Sequence, residues 1–159
     1  MIDDDLASVL SNVAADARPA TRTKIANSAE TRAFLDANVL FSAAYREAAG
    51  LQRLWKLTGV ELFTSAYASE EARRNLLSAE QRARLEDLLE RTRIVPESDA
   101  PLPAGVGLPD NDLPILKAAI AAGATRLVTG DVRDFGRYLG QRIAGVLIVT
   151  PADFIRISR

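Results

Sequence analysis

The stretch AFLDANVLFSA, Ala33 to Ala43, decides how this chain is read. Its apolar residues predict a buried strand along its length. Asp36 and Asn38 interrupt it. A carboxylate in such surroundings is costly unless it is hydrogen-bonded or held against a cation. Residues two apart on a strand share a face, so Asp36 and Asn38 are expected to address one site, unless the strand bends just after Asp36. The plainer explanation is that Asp36 accepts hydrogen bonds from the backbone amides of a neighbouring loop.

Outward from this stretch the chain alternates strand-like and helix-like segments. YREAAGLQRLWKLTG reads as a helix closing near Gly59, and VELFTSA as a second strand. SEEARRNLLSAEQRARLEDLLERT reads as two helices meeting near Ser78, and RIVPES as a third strand. DAPLPAGVGLPDN is a Pro- and Gly-rich loop. DLPILKAAIAAG is a helix ended by Gly123. TRLVTG is a fourth strand, DVRDFGRYLGQ a short helix, and AGVLIVTPADFI holds a fifth strand. This alternation predicts an α/β fold, a three-layer α/β/α sandwich around a central parallel sheet of about five strands. Residues 1 to about 31 stand apart. Leu6, Val9, Leu10 and Val13 form one helical stripe, Asp3 to Asp5 suit its N-terminus, and Pro19 breaks the polar segment that follows. The expected organisation is an N-terminal helical extension over 1–31 and an α/β domain over 32–159. The extension either packs on its own domain or docks a partner.

Composition narrows the chemistry. The 159 residues include 48% hydrophobic and 26% charged side chains, an ordinary globular balance. No apolar run is long enough to span a membrane, and the acidic start MIDDDLASVL lacks a signal-peptide layout, so a soluble cytoplasmic protein is expected. Cysteine and histidine are both absent. That excludes thiolate chemistry, His-dependent triads and the usual zinc sites. Catalysis must rest on carboxylates, lysine, tyrosine, hydroxyls or a metal held by oxygen, which favours Mg²⁺ or Mn²⁺. The net charge of −1 gives no global field for nucleic acid.

Four acids fall where the strands of such a sheet end. Asp36 lies within the first strand near its carboxyl end. Glu71 follows Ser69, which reads as a helix N-cap, with Asn75 one turn on. Asp112 suits the N-cap of the helix that Pro114 enters. Asp131 follows the fourth strand, with Thr129 before it and Asp134 after it. Alone, Glu71, Asp112 and Asp131 are each explained by capping or the helix dipole, and Asp36 by the backbone amides of a neighbouring loop. Together they converge at the carboxyl edge of the sheet, where ligands gather. Clustered carboxylates repel unless a proton or a cation intervenes, and a divalent metal would justify Asp36.

FLDANVLFSA, TSAYASEEARRNL, LPDNDLPILKAAIAAGATRLVTGD and GVLIVTPADF, in this order, resemble the PIN domain, a metal-dependent nuclease fold that includes VapC-type toxins. The resemblance implies an endoribonuclease holding Mg²⁺ or Mn²⁺ among Asp36, Glu71, Asp112 and Asp131. Asn38, Asn75, Thr129 and Asp134 would position these acids or the substrate, and Arg73, Arg74 and Arg133 are candidates to guide the RNA backbone. It also implies an antitoxin protein as partner, if the chain is the toxin of a type II pair, and a homodimer. Dehalogenase-type phosphatases need an Asp-x-Asp pair where this chain has Asn38. Receiver domains need a lysine after a late strand, which is missing. A PIN fold kept only for RNA or protein binding is the alternative, with all four acids against it.

Overall fold

The computed structural model describes residues 31–158; the helix and linker expected before Thr31 lie outside them. Six strands form one sheet: β1 (Thr31–Leu35), β2 (Val60–Ser65), β3 (Arg93–Val95), β4 (Arg126–Val128), β5 (Arg142–Ile143) and β6 (Val146–Val149). Their order is β3-β2-β1-β4-β6-β5. All neighbours are parallel except β5 and β6. Five helices flank the sheet: α1 (Ala37–Ala44), α2 (Ala66–Asn75), α3 (Ala79–Glu90), α4 (Leu113–Ala121) and α5 (Pro151–Ile157). The expected α/β architecture is present, with six strands rather than five. The added strand is β5, a short hairpin partner of β6. Its turn is Ala144-Gly145, both at positive φ (51° and 87°), a backbone usually announced by Asn-Gly or Asp-Gly.

The central strands read as apolar runs because both of their faces are covered. Ala33, Phe34 and Leu35 of β1 are fully buried, as are Leu127 and Val128 of β4. The core closes around Phe34, Phe63, Phe135 and Phe154.

The opening stretch is not one strand. β1 ends at Leu35, Asp36 caps α1, and Asn38 lies in the first turn of that helix. The periodicity is ambiguous because the helix is buried at Ala37, Val39, Leu40, Ala43 and Ala44, leaving few polar positions to mark it. Helix α2 also starts earlier than its sequence suggests. Ser65 is the cap, accepting from the Ala68 N–H at 3.1 Å. Ser69 instead donates its hydroxyl to the Ala66 carbonyl, so Glu70 and Glu71 sit mid-helix. The break at Ser78 is real and carries a capping box with Gln81.

Residues 45–59 do not form the expected α-helix. Ala48 adopts φ 59°, and the chain then makes a 3-10 segment over Gly50–Lys56. Trp55 fixes this segment by donating Nε1–H to the Leu88 carbonyl and to Thr92 Oγ1. After β4 the expected short helix is a turn followed by a 3-10 segment over Gly136–Tyr138. The last helix, α5, is capped by Thr150.

Candidate active site

The chain runs β1, β2, β3 toward one edge, then returns to the other side of β1 with β4. That reversal opens a crevice beyond the carboxyl ends of β1 and β4, the switch point where open α/β sheets bind ligands. Leu35 and Val128 are register partners, so the residues that follow them emerge side by side.

Asp36 emerges from β1 and is 3% exposed. The Ala37 N–H donates to its Oδ1 at 2.7 Å. Its Oδ2 accepts from Thr129 Oγ1 at 2.7 Å and from Asn38 Nδ2 at 3.1 Å. Burial nevertheless lifts this carboxyl to about 6, opposed by the Thr129, Ala37 and Asn38 donors and assisted by the charge of Glu71. Thr129 ties the two strand ends together, because its Oγ1 also accepts from the Asp131 N–H at 3.0 Å. Asn38 does the same through its other end, accepting from the Gly130 N–H at 2.8 Å. A Cβ at Gly130 would stand 3.1 Å from Asn38 Oδ1, so glycine permits this approach.

Asp112 occupies the N-cap position of α4 but makes no capping hydrogen bond. It is 6% exposed, and its Oδ2 is buried with no hydrogen-bond partner among the described residues. Burial raises its carboxyl to about 8, helped by Asp134 and then by the charges of Asp36 and Asp131. Asp112, Asp131 and Asp134 each bring a carboxylate oxygen within 4.8 Å of the others. Asp131 also caps its own turn, its Oδ1 accepting from the Asp134 N–H at 3.0 Å.

Asp36, Asn38, Glu71, Asn75, Asp112 and Asp131 all line one cleft of about 510 Å³. Glu71 and Asn75 enter it one helical turn apart, with Asn75 Nδ2 donating to the Glu71 carbonyl. Thr129 is buried beneath the acids rather than lining the cleft. Asp134, held at the margin of the sequence reading, belongs to the tight carboxylate group, whereas Asp36 and Glu71 stand outside it. Ala37, Phe41, Ala72, Asn111 and Gly130 also line the cleft and escaped the sequence reading. Asn111 sits between two acids that draw attention away from it. Gly130 stands out only once Asn38 is placed opposite.

Of the candidate arginines, Arg73 is committed to Glu70 and Glu86, each at 2.7 Å. Its charge is therefore already answered within the protein.

The donor set is oxygen only, several carboxylates converge, and a buried carboxylate oxygen lacks a donor. These features fit a hard divalent cation. The PIN domain family model matches residues 32–133, spanning β1, the acids and the turn after β4. The chain belongs to the PIN domain family. No curated protein matches it in sequence. Among solved structures, this PIN domain is similar to a chain in the crystal structure of VapBC2 from Rickettsia felis bound to a DNA fragment from their promoter. The identity is 20%, the TM-score is 0.53, and the match covers 76% of this chain and 98% of that one. At that identity the likeness speaks for the fold.

Proposed function

We propose that this PIN domain is a metal-dependent endoribonuclease that hydrolyses RNA phosphodiester bonds. The observation that carries the reading is that Asp112, one of a tight group of three carboxylates, has a buried Oδ2 with no hydrogen-bond partner among the described residues. Asp112 and Asp131 would hold Mg²⁺ or Mn²⁺, with Asp36, Glu71 and Asp134 completing the acidic surround. A bound divalent cation supplies charge neutralisation at the scissile phosphate and lowers the pKa of a water.

The chain's own residues do the rest. Thr129 and Asn38 hold Asp36 in one rotamer and tie it to the Gly130–Asp131 backbone. The buried floor of Val128 and Thr129 keeps bulk water from beneath the acids. Asn75 and Asn111 offer neutral polar groups to a substrate in the cleft without adding charge.

The family and the VapBC2 likeness are in keeping with a role as the toxin of a type II pair, which an antitoxin protein would block; we infer further that it works as a homodimer in the cytoplasm. Among the described residues no helix is long and apolar enough to cross a membrane. In this reading residues 32–159 are the nuclease domain, and 1–31 are an N-terminal extension to it.

Cleavage of a mixed RNA pool by purified protein tests the proposal, run with Mn²⁺, Mg²⁺ and EDTA. Folded Asp36→Asn and Asp131→Asn variants serve as controls. Metal-dependent cleavage lost in both variants is the expected result. Folded wild-type protein that cuts nothing with either metal would leave a binding module in place of an enzyme.

A further inference from the structure

A second concavity, a groove of about 750 Å³, lies next to the acidic cleft, lined by Phe41, Tyr45, Ile155, Arg46, Arg53 and Arg156 among others. Phe41 lines both. Helix α1 connects them. Asp36 caps its N-terminus and Tyr45 its C-terminus, a span of about 13 Å at 1.5 Å per residue. Asn38, Phe41 and Tyr45 are spaced i, i+3 and i+7, one stripe along the helix. Asn38 opens on the acids, and Tyr45 opens on the groove. The Phe41 and Tyr45 rings lie 5.4 Å apart at 42°, and Tyr45 is 53% exposed.

The groove's charge is opposite to that of the cleft. Its lining carries three arginines and one acid, Asp153, which pairs with Arg156 at 3.1 Å. Arg46 and Arg53 are exposed. In a chain of net charge −1, this positive character is local to the groove. An exposed aromatic ring, Tyr45, backed by the half-buried Phe41 and set beside arginines is what single-stranded nucleic acid needs, since bases stack on the rings and phosphates take the guanidinium forks. An acidic peptide would satisfy the arginines too. Continuity through Phe41 favours the polymer that already enters the cleft.

We infer that the groove between α1, the 3-10 segment Gly50–Lys56 and α5 is a subsite for single-stranded RNA flanking the scissile bond. Phe41 and Tyr45 stack bases there, and Arg46 and Arg53 hold backbone phosphates. The inference rests on the nuclease reading and extends it to a substrate form, an unpaired strand a few nucleotides longer than the acidic cleft accommodates.

Binding tests it without requiring turnover. A labelled single-stranded RNA of about twelve nucleotides is titrated with full-length protein in Ca²⁺, by fluorescence anisotropy, with a gel to show that the RNA stays intact. Arg46→Glu/Arg53→Glu is expected to weaken binding at least about tenfold and to flatten the dependence on salt. Tyr45→Ala is expected to weaken it about tenfold with the salt dependence kept. Arg82→Glu/Arg91→Glu, the same charge change on exposed positions outside the groove, is expected to bind nearly as wild type.

Equal binding by wild type and both groove variants would overturn the inference and leave the groove to a protein partner. So would equal losses in the groove and control double variants, or no binding by folded wild type. Wild type that binds through the groove yet cuts no RNA with Mn²⁺ or Mg²⁺ would uphold the subsite and overturn the nuclease reading alone.

Discussion

Asp36 and Asp112 have carboxyls raised to about 6 and about 8, and both owe this first to burial. Without a cation, the folded protein therefore binds more protons than the unfolded chain from about pH 4 upward. Unfolding free energy falls wherever the folded state holds the extra protons. Stability present below the unfolded pKa is lost as pH rises through about 6 and then about 8. For Asp36 alone the loss is about 3 kcal/mol, at roughly 1.4 kcal/mol per unit. Thermal melts in EDTA should show Tm falling between about pH 5 and about pH 8. Mn²⁺ should restore it most strongly at the higher pH, because metal binds the deprotonated acids. A Tm that rises with pH in EDTA would contradict this. Thr129→Val is expected to cut activity about tenfold with the fold intact, since partners that orient metal ligands are worth that order. The sequence made Asp36 conspicuous because its neighbours are apolar. It gave no sign that the Asp112 N-cap would decline to cap, since that depends on a cleft assembled from α2, α4 and the turn after β4.

Elements show where local signals suffice. The helix break at Ser78 was legible in the sequence, and the capping box found there is local, with Ser78 and Gln81 meeting within one turn. Ser78→Ala should cost about 1 kcal/mol and leave RNA cleavage unchanged, since α3 lines no part of the cleft; chemical denaturation and the cleavage assay check the two halves. The β1–α1 junction was less legible, because a buried helix and a buried strand look alike over a short apolar run. The loop before α4 depends on a distant residue. Tyr138 accepts from the Gly107 N–H at 2.9 Å and donates to the Gly107 carbonyl at 3.2 Å. This clamp holds the loop that delivers Asp112. Tyr138→Phe should cost about 1 kcal/mol and speed amide exchange over residues 104–112, with activity falling through a looser Asp112. Unchanged exchange there would remove the clamp from the account.

For the whole molecule, strand order positions the candidate site more than any single motif does. The return of β4 beside β1 sets Asp36 against Thr129 and Asp131, residues 93 or more positions apart in the chain. Alternation of strands and helices foretold the sheet, and the four acids foretold the edge where the cleft opens. Order within the sheet and the carboxylate distances come only from packing. The claim that follows is that this edge is a cation-dependent RNA-cutting centre in which Asp112 is indispensable. Its most direct test is the rate of RNA cleavage against Mn²⁺ concentration for wild type and Asp112→Asn, with folding verified by melting in EDTA. The account predicts saturable activation in the wild type. It predicts at least about a 100-fold loss in the variant, beyond what outer partners cost, from a protein that melts no lower than wild type in EDTA. Cleavage that persists in EDTA, or that Asp112→Asn leaves intact, would contradict it.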